Sequence, residues 1–448
     1  MSRPNIVYVH CHDAGRYIQP YGYPVPTPHL QQLAEEGVLF RNAFCMGPTC
    51  SPSRAALLTG QSPHSAGMFG VTNPNLGGFG LNDYSQHLVH TLREVGYTST
   101  LCGFQHVTND VEKIGYDRVL PHPEGKSRDN ARTIAPMADE FLRNAPDEPF
   151  FLSVGTAEPH RIMGGNDPAW FTPDPENTDG RYHRPPAILP DTPETRRDMA
   201  DYKRAAAEYD YSIGTVMTAL EETGLQDNTL VIATTDHGID FPGMKCNLTD
   251  HGMGVLLICR GPAGFDGGRV LDGLVSHIDL FPTLCEITGA DEPDWLEGVS
   301  LMPMVRGGKT FVREEVHGEI TYHGVYDPQR CVRTERWKYI RCFDELVPPH
   351  SAEGGAWPRT SPLDRPLPNT GPAISRDVLT EYGVADRVPP REQLYDLVMD
   401  PMERVNLADQ PGYERVLTQM RARLNRWMDE TDDPFARGET PGTGPDVL

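Results

Sequence analysis

The sequence predicts an α/β protein: a large, mostly parallel sheet flanked by helices, with a smaller antiparallel α+β unit behind it. Three observations carry this. Short apolar, β-branched runs alternate with amphipathic helical patterns through the first 325 residues, as in a parallel sheet covered on both faces. Four of those runs end in histidine or aspartate: His12 and Asp13, His106, His160, and Asp236 with His237. Carboxyl ends of strands are where such sheets build their sites. Beyond about residue 325 the pattern changes to a hairpin, a proline-rich stretch and one helix. At 448 residues the chain is too long for one small core. We therefore divide it into a large domain, 1–325, and a smaller C-terminal domain, 326–448, with a proline-rich insertion at 345–390.

Each element has its own warrant. Asn5 to His10 is apolar and runs into Cys11-His12-Asp13. Thr27-Pro28 caps a helix through Glu36, which Gly37 ends. Val38 to Ala43 is a strand leading to Cys50-Ser51-Pro52-Ser53-Arg54. Pro52 suits a first turn, Ser53 to Thr59 a short helix and Gly60 its stop. Tyr84 to Val95 places Leu88, Leu92 and Val95 on one helical face. Strands follow at Tyr97 to Cys102 and Pro149 to Gly155, with a helix over 131–145 between them. The stretch 164–195 reads as a long loop over the site. Residues 197–223 are the longest helical pattern, and Thr229 to Thr235 a buried strand running into Asp236-His237-Gly238. Val255 to Cys259 and Val270 to Ser276 add strands, and Asp279 to Thr288 a helix. In the C-terminal part we expect a hairpin over Arg330 to Arg341, a strand at Leu394-Tyr395 and a helix from Glu414 to Asp429, then a loose tail after Asp433.

Composition bounds the function. No apolar run approaches a membrane span, and the net charge of −23 argues against nucleic acid or an anionic membrane as partner. An anionic substrate would need a locally positive pocket. Nine scattered cysteines fit a reducing compartment, and Asn5 leads into a strand with no secretory h-region before it, so the expectation is a cytoplasmic protein. Oligomeric state is open.

Cys50 stands at a helix N-terminus with Arg54 one turn along, where free N–H groups, the macrodipole and the guanidinium favour negative charge. From the residues alone it is either a nucleophile or a buried structural thiol. Likewise His160 could cap a turn, Asp236-His237-Gly238 could be an ordinary strand-to-loop turn, and Lys245 a solvated lysine. Cys11, Cys45, Cys102, Cys246 and Cys259 read as structural.

Taken in order, these strings resemble the sulfatase family of the alkaline-phosphatase superfamily. The sharpest part is Cys50-Ser51-Pro52-Ser53-Arg54 with Thr59-Gly60, Pro63 and Gly67. Asn5 to Asp13, Gly103 to His106, Asp236-His237-Gly238 and Gln393 to Leu397 with Asp400-Pro401 also match. Among sulfatases, Ala157 to Arg161, Gly238 to Pro242 and Glu430 to Pro434 look most like the heparan N-sulfatases (sulfamidases). The resemblance implies an alkaline-phosphatase-like fold and cleavage of a sulfate ester or sulfamate in a small anionic substrate. It implies a formylglycine made from Cys50 by a formylglycine-generating enzyme, and one divalent metal held by Asp13, Asp236, His237 and position 50. It also implies that Arg54 holds the formylglycine hydrate, that His106 takes its proton, and that His160 and Lys245 meet the substrate.

Two positions depart from the family pattern. His12 stands where a second aspartate is usual, and Phe104 where a lysine is usual. The two changes offset each other in charge. The family precedent favours Ca²⁺, whereas imidazoles at His12 and His237 shift preference towards Mn²⁺ or Zn²⁺. The alternatives are a phosphonate monoester or phosphodiester hydrolase of the same superfamily, and a non-catalytic relative that binds metal or anion.

Overall fold

The computed structural model describes residues 3–73, 78–123, 129–161, 179–323, 325–343, 374–384, 390–439 and 441. The loop expected at 164–195 is described only from residue 179, and the insertion expected at 345–390 only over 374–384 and at 390.

The large sheet has eight strands: β1 (Asn5–Cys11), β2 (Val38–Phe44), β3 (Thr98–Gly103), β4 (Arg118–Val119), β5 (Phe150–Gly155), β6 (Thr229–Thr235), β7 (Leu257–Arg260) and β8 (Arg269–Ser276). Their order is β4-β3-β5-β1-β6-β7-β2-β8, and all neighbours are parallel except at β7, which is antiparallel to β6 and β2. The apolar runs are continuous because both faces are buried. Ile6 and Tyr8 of β1 enter one core and Val7, Val9 and Cys11 the other; Leu230 and Ile232 of β6 alternate with Val231 and Ala233 in the same way. Helices Cys50–Thr59, Leu88–Glu94 and Leu280–Thr288 cover the first face, and Ala131–Arg143 and Pro193–Glu222 the second.

Register decides where the site forms. Cys11 pairs with Thr235, His10 with Gly155, and Gly103 with Gly155. The carboxyl ends of β1, β3, β5 and β6 therefore lie side by side, and the residues just beyond them meet. β7 starts opposite Thr234, so the segment from Asp236 to Leu256 leaves the site edge and returns to it.

The small sheet is antiparallel, in the order β12-β11-β10-β9, with β9 (Glu315–His323), β10 (Val325–Thr334), β11 (Trp337–Cys342) and β12 (Glu392–Asp396). Its first strand precedes residue 325. Helix Glu414–Glu430 packs Leu417, Met420, Leu424 and Trp427 on this sheet, in a core that also takes Ala56 of the cysteine helix. Among the described residues no helix is long and apolar enough to cross a membrane.

Three local readings change. The pattern over Tyr84 to Val95 is two helices, because His87 is extended and its Nδ1 caps Val89 N–H. The cysteine helix begins at Cys50, and all ten of its residues are buried. The segment after Asp433 is a short 3₁₀ helix, Pro434–Arg437, capped by the Asp433 carboxylate.

That aspartate also closes a buried ionic knot. Arg330 donates to Asp433 at 2.6 Å and lies 3.4 Å from Glu319, and His64 Nδ1 donates to Glu319 at 2.5 Å. The knot ties the segment after the cysteine helix to β9, β10 and the end of the C-terminal helix. Burial opposes the charge on His64, but Glu319, aided by Asp433, outweighs it and holds the imidazole's pKa above its ordinary value. A raised folded pKa stabilises fully below the unfolded value of about 6.5 and ceases to do so as pH rises through the folded value. The melting-temperature advantage of the wild type over His64→Gln should thus shrink as pH rises above about 6.5. Asp433→Ala, which strands Arg330 in the core, should cost about 3 kcal/mol in denaturant titration.

Candidate active site

Asp236 organises the strand ends. Its Oδ1 accepts the backbone N–H groups of Asp13 and His237, each at 2.9 Å. Its Oδ2 accepts from Arg54 at 3.0 Å and lies 3.1 Å from His12 Nδ1. Its carbonyl accepts the Ser53 hydroxyl at 2.5 Å. One residue thus links β1, β6 and the cysteine helix. Gly238 lets the chain turn away, since a Cβ there would sit 2.0 Å from the His251 carbonyl oxygen. Asp13 and His106 both adopt positive φ, 54° and 62°. That conformation is costly for residues with a side chain, and it recurs at functional sites.

The cysteine helix brings two groups. Cys50 Sγ lies 3.4 Å from His237 Nε2. Burial pushes its thiol well above the usual pKa. Arg54 is 2% exposed. It donates to the Cys11 carbonyl at 2.8 Å and to His10 Nδ1 at 2.6 Å, and its Nε is buried without an acceptor among the described residues.

Lys245 comes from the excursion between β6 and β7. Far from being a solvated lysine, it is buried, donating to Asp13 Oδ2 at 2.9 Å and to His160 Nε2 at 3.2 Å. Burial disfavours its charge, but Asp13 outweighs this and raises its pKa. In return Lys245 overcomes the burial of Asp13 and holds that carboxylate ionised. His160 Nδ1 bonds the Arg161 carbonyl at 2.6 Å, so Nδ1 carries the proton and Nε2 is the acceptor. Arg161 fixes this loop through a bidentate pair with Asp198 at 2.7 and 2.8 Å and a bond to the Asp240 carbonyl.

Phe104 stands against His12 at 4.3 Å between ring centroids, with His106 at 5.1 Å and the Arg54 guanidinium 5.4 Å from its ring centre. Burial, then Arg54, lowers the His12 pKa to about 3; burial and His12 lower that of His106 well below its ordinary value. Both imidazoles are neutral. His106 Nδ1 has no partner among the described residues.

The donors fit a cation. One ligand atom each from Asp13, Cys50, Asp236 and His237 lies within 4.8 Å of the others, as do those of His12, Asp13, Cys50 and His160. Asp13 Oδ1 is buried without a hydrogen-bond donor. His237 Nδ1 bonds the Gly238 carbonyl at 3.0 Å, which leaves Nε2 as the coordinating nitrogen, 3.3 Å from Asp13 Oδ1.

All nine residues singled out from the sequence therefore lie in one buried cluster. Two others were missed. His10 holds Arg54, and its only signal was a histidine inside an apolar strand. His323, at the end of β9, is buried and has Lys245, His237, Asp13 and His160 as electrostatic neighbours, and it sits in no motif. None of the nine cysteines forms a disulfide among the described residues, and of the nine Cys342 alone is not fully buried. Alkylation of folded, unmodified protein at about pH 8 should label Cys342 ahead of Cys50, as read by peptide mass.

The whole chain has known counterparts. Residues 4–290 match the Sulfatase family and residues 245–347 the family described as N-sulphoglucosamine sulphohydrolase, C-terminal. Human N-sulphoglucosamine sulphohydrolase is 29% identical over 446 residues, covering 92% of this chain and 87% of that protein. An ulvan-active sulfatase of Formosa agariphila is 28% identical, over 96% of this chain and 76% of that protein. A structure solved in complex with its substrate, D-glucosamine-2-N,6-O-disulfate, superposes with a TM-score of 0.72 at 17% identity, covering 96% of this chain and 99% of the other. This chain belongs to the sulfatase family of hydrolases.

Proposed function

We propose that the chain releases inorganic sulfate from an N- or O-sulfated amino sugar, using a formylglycine derived from Cys50 and one divalent metal. The observation that carries this is the convergence of Asp13, Cys50, Asp236 and His237 on one buried point, with Arg54 and Lys245 beside it. The names of the human relative and of the sugar bound in the similar structure support the amino-sugar class.

Each residue has a task. Formylglycine, when hydrated, would supply the hydroxyl that attacks sulfur, and a metal held by Asp13, Asp236 and His237 would lower that hydroxyl's pKa. Arg54, anchored by Asp236, His10 and the Cys11 carbonyl, keeps an Nε–H with no acceptor among the described residues, available to the formylglycine hydrate. His106, neutral and with a free Nδ1, accepts a proton. Lys245 is the donor to the leaving group, held in place by the acceptor Nε2 of His160. Because the whole of Cys50–Thr59 is buried, a formylglycine-generating enzyme must reach Cys50 before the chain folds.

The decisive experiment measures rates on an aryl sulfate, N-sulfoglucosamine and a phosphodiester in parallel, with the mass of the peptide holding residue 50. Turnover of the sulfated compounds with an aldehyde at position 50 is expected. Faster phosphodiester cleavage would favour the phosphohydrolase reading, and an unmodified, inert protein a non-catalytic one. His106→Ala should lower kcat by about 10²- to 10⁴-fold.

His12 and His237 lead us to propose Mn²⁺ or Zn²⁺ rather than Ca²⁺. Elemental analysis of protein purified without added metal checks this; stoichiometric calcium alone would overturn it. The contact between His12 and Phe104 makes them a coupled pair. His12→Asp should lower activity by placing a third carboxylate beside Asp13 and Asp236, and adding Phe104→Lys should recover part of it. A gain from His12→Asp alone would refute the offset in charge.

A further inference from the structure

We propose that His323 is a specificity-determining residue, bonding a hydroxyl on the leaving-group side of the substrate. This rests on the hydrolase reading above and adds that the C-terminal sheet reads the substrate.

The first observation is a vacant nitrogen. His323 is 7% exposed, and its Nδ1 is buried with no hydrogen-bond partner among the described residues. Burying an imidazole nitrogen without a partner is unfavourable, so such groups in a folded protein call for an explanation. Asp13 Oδ1, Arg54 Nε and His106 Nδ1 of the site are in the same condition. Lys245, His237, Asp13 and His160 are the electrostatic neighbours of His323, which puts it beside that site.

The second observation is how it arrives. β9 lies along the segments that bracket the cysteine helix: Glu319 N–H donates to the Met46 carbonyl at 2.8 Å, and Tyr322 N–H to the Phe69 carbonyl at 3.0 Å. Tyr322 does the packing at this end, stacking on Phe79 at 5.2 Å. His323 makes no such ring contact among the described residues. These bonds fix the end of β9 that carries the imidazole.

Its electrical setting selects the ligand. Burial first, then Lys245 and His237, lower its pKa to about 3. A neutral imidazole donates at one nitrogen and accepts at the other. That suits a hydroxyl, which also does both. A sulfate oxygen is better served by Lys245 and Arg54, which carry charge.

The test compares two substrates in the full-length enzyme: N-sulfoglucosamine, with hydroxyls beside the sulfated atom, and 4-nitrophenyl sulfate, with none. His323→Ala should lower kcat/KM for the sugar at least about tenfold more than for the aryl sulfate, chiefly through KM. His323→Gln, which keeps a donor and an acceptor, should recover part of the loss. Equal losses on both substrates, or no loss on either, would overturn the proposal while leaving the hydrolase reading intact. A wild type inert on every sulfated compound would overturn the hydrolase reading instead. Calorimetric titration of N-sulfoglucosamine into wild type and His323→Ala would then decide this one, with tenfold weaker binding expected and equal binding refuting it.

Discussion

The carboxylate of Asp236 is the constraint on which the site depends. Two strand ends hang from its Oδ1 through backbone N–H groups, and a buried guanidinium hangs from its Oδ2. Neither charge is tolerable alone in this core: an arginine at 2% exposure needs a carboxylate, and the carboxylate needs donors on both oxygens. Because β1 and β6 pair in register to Cys11 and Thr235, the donors and the acceptor arrive at one place. The positive φ of Asp13 follows from having to offer its N–H to Asp236 while turning its side chain to Lys245.

The pocket solves a charge problem posed by a chain of net charge −23. Two buried cations, Arg54 and Lys245, face Asp13 and Asp236, with Asp240 3.9 Å from Lys245, so the immediate surroundings carry little net charge. Burial keeps the nearby imidazoles of His12 and His106 neutral, so they add no charge of either sign. A divalent cation would then make the pocket positive, as an anionic substrate requires. Phe104 is part of the same balance. Its ring stands against that of His12, 4.3 Å between centroids, and adds no charge.

The small sheet completes the large one. It brings Glu319 and Arg330 to His64, and Lys338 and Arg333 to Asp250 at the foot of the excursion that holds Lys245. Burial raises Glu403, which caps that foot through Asp250 N–H, to a pKa of about 7, although Lys338 opposes the shift. These buried networks join the small sheet to the segments around the site. They give a structural meaning to Thr431 and Asp433, which stand in the late motif and touch no part of the pocket.

Local patterns in the sequence were sufficient for the strands, the main helices and the residues at the strand ends. Apolar runs mark strands buried on both faces, and polar residues at their carboxyl ends can only lie where the sheet opens. The cysteine helix was legible from Pro52 and Gly60 for the same local reason, although its start and its complete burial were not. Tertiary structure alone decided the rest. Lys245 was unplaceable because it lies on a loop whose course depends on β7 running antiparallel, a pairing that no local signal encodes. His10 and His323 look like ordinary residues of apolar strands until Arg54 and the pocket are brought beside them. The His64, Arg330 and Asp433 knot joins residues far apart in the chain, and an ion pair between distant residues exists only once packing has excluded water around it.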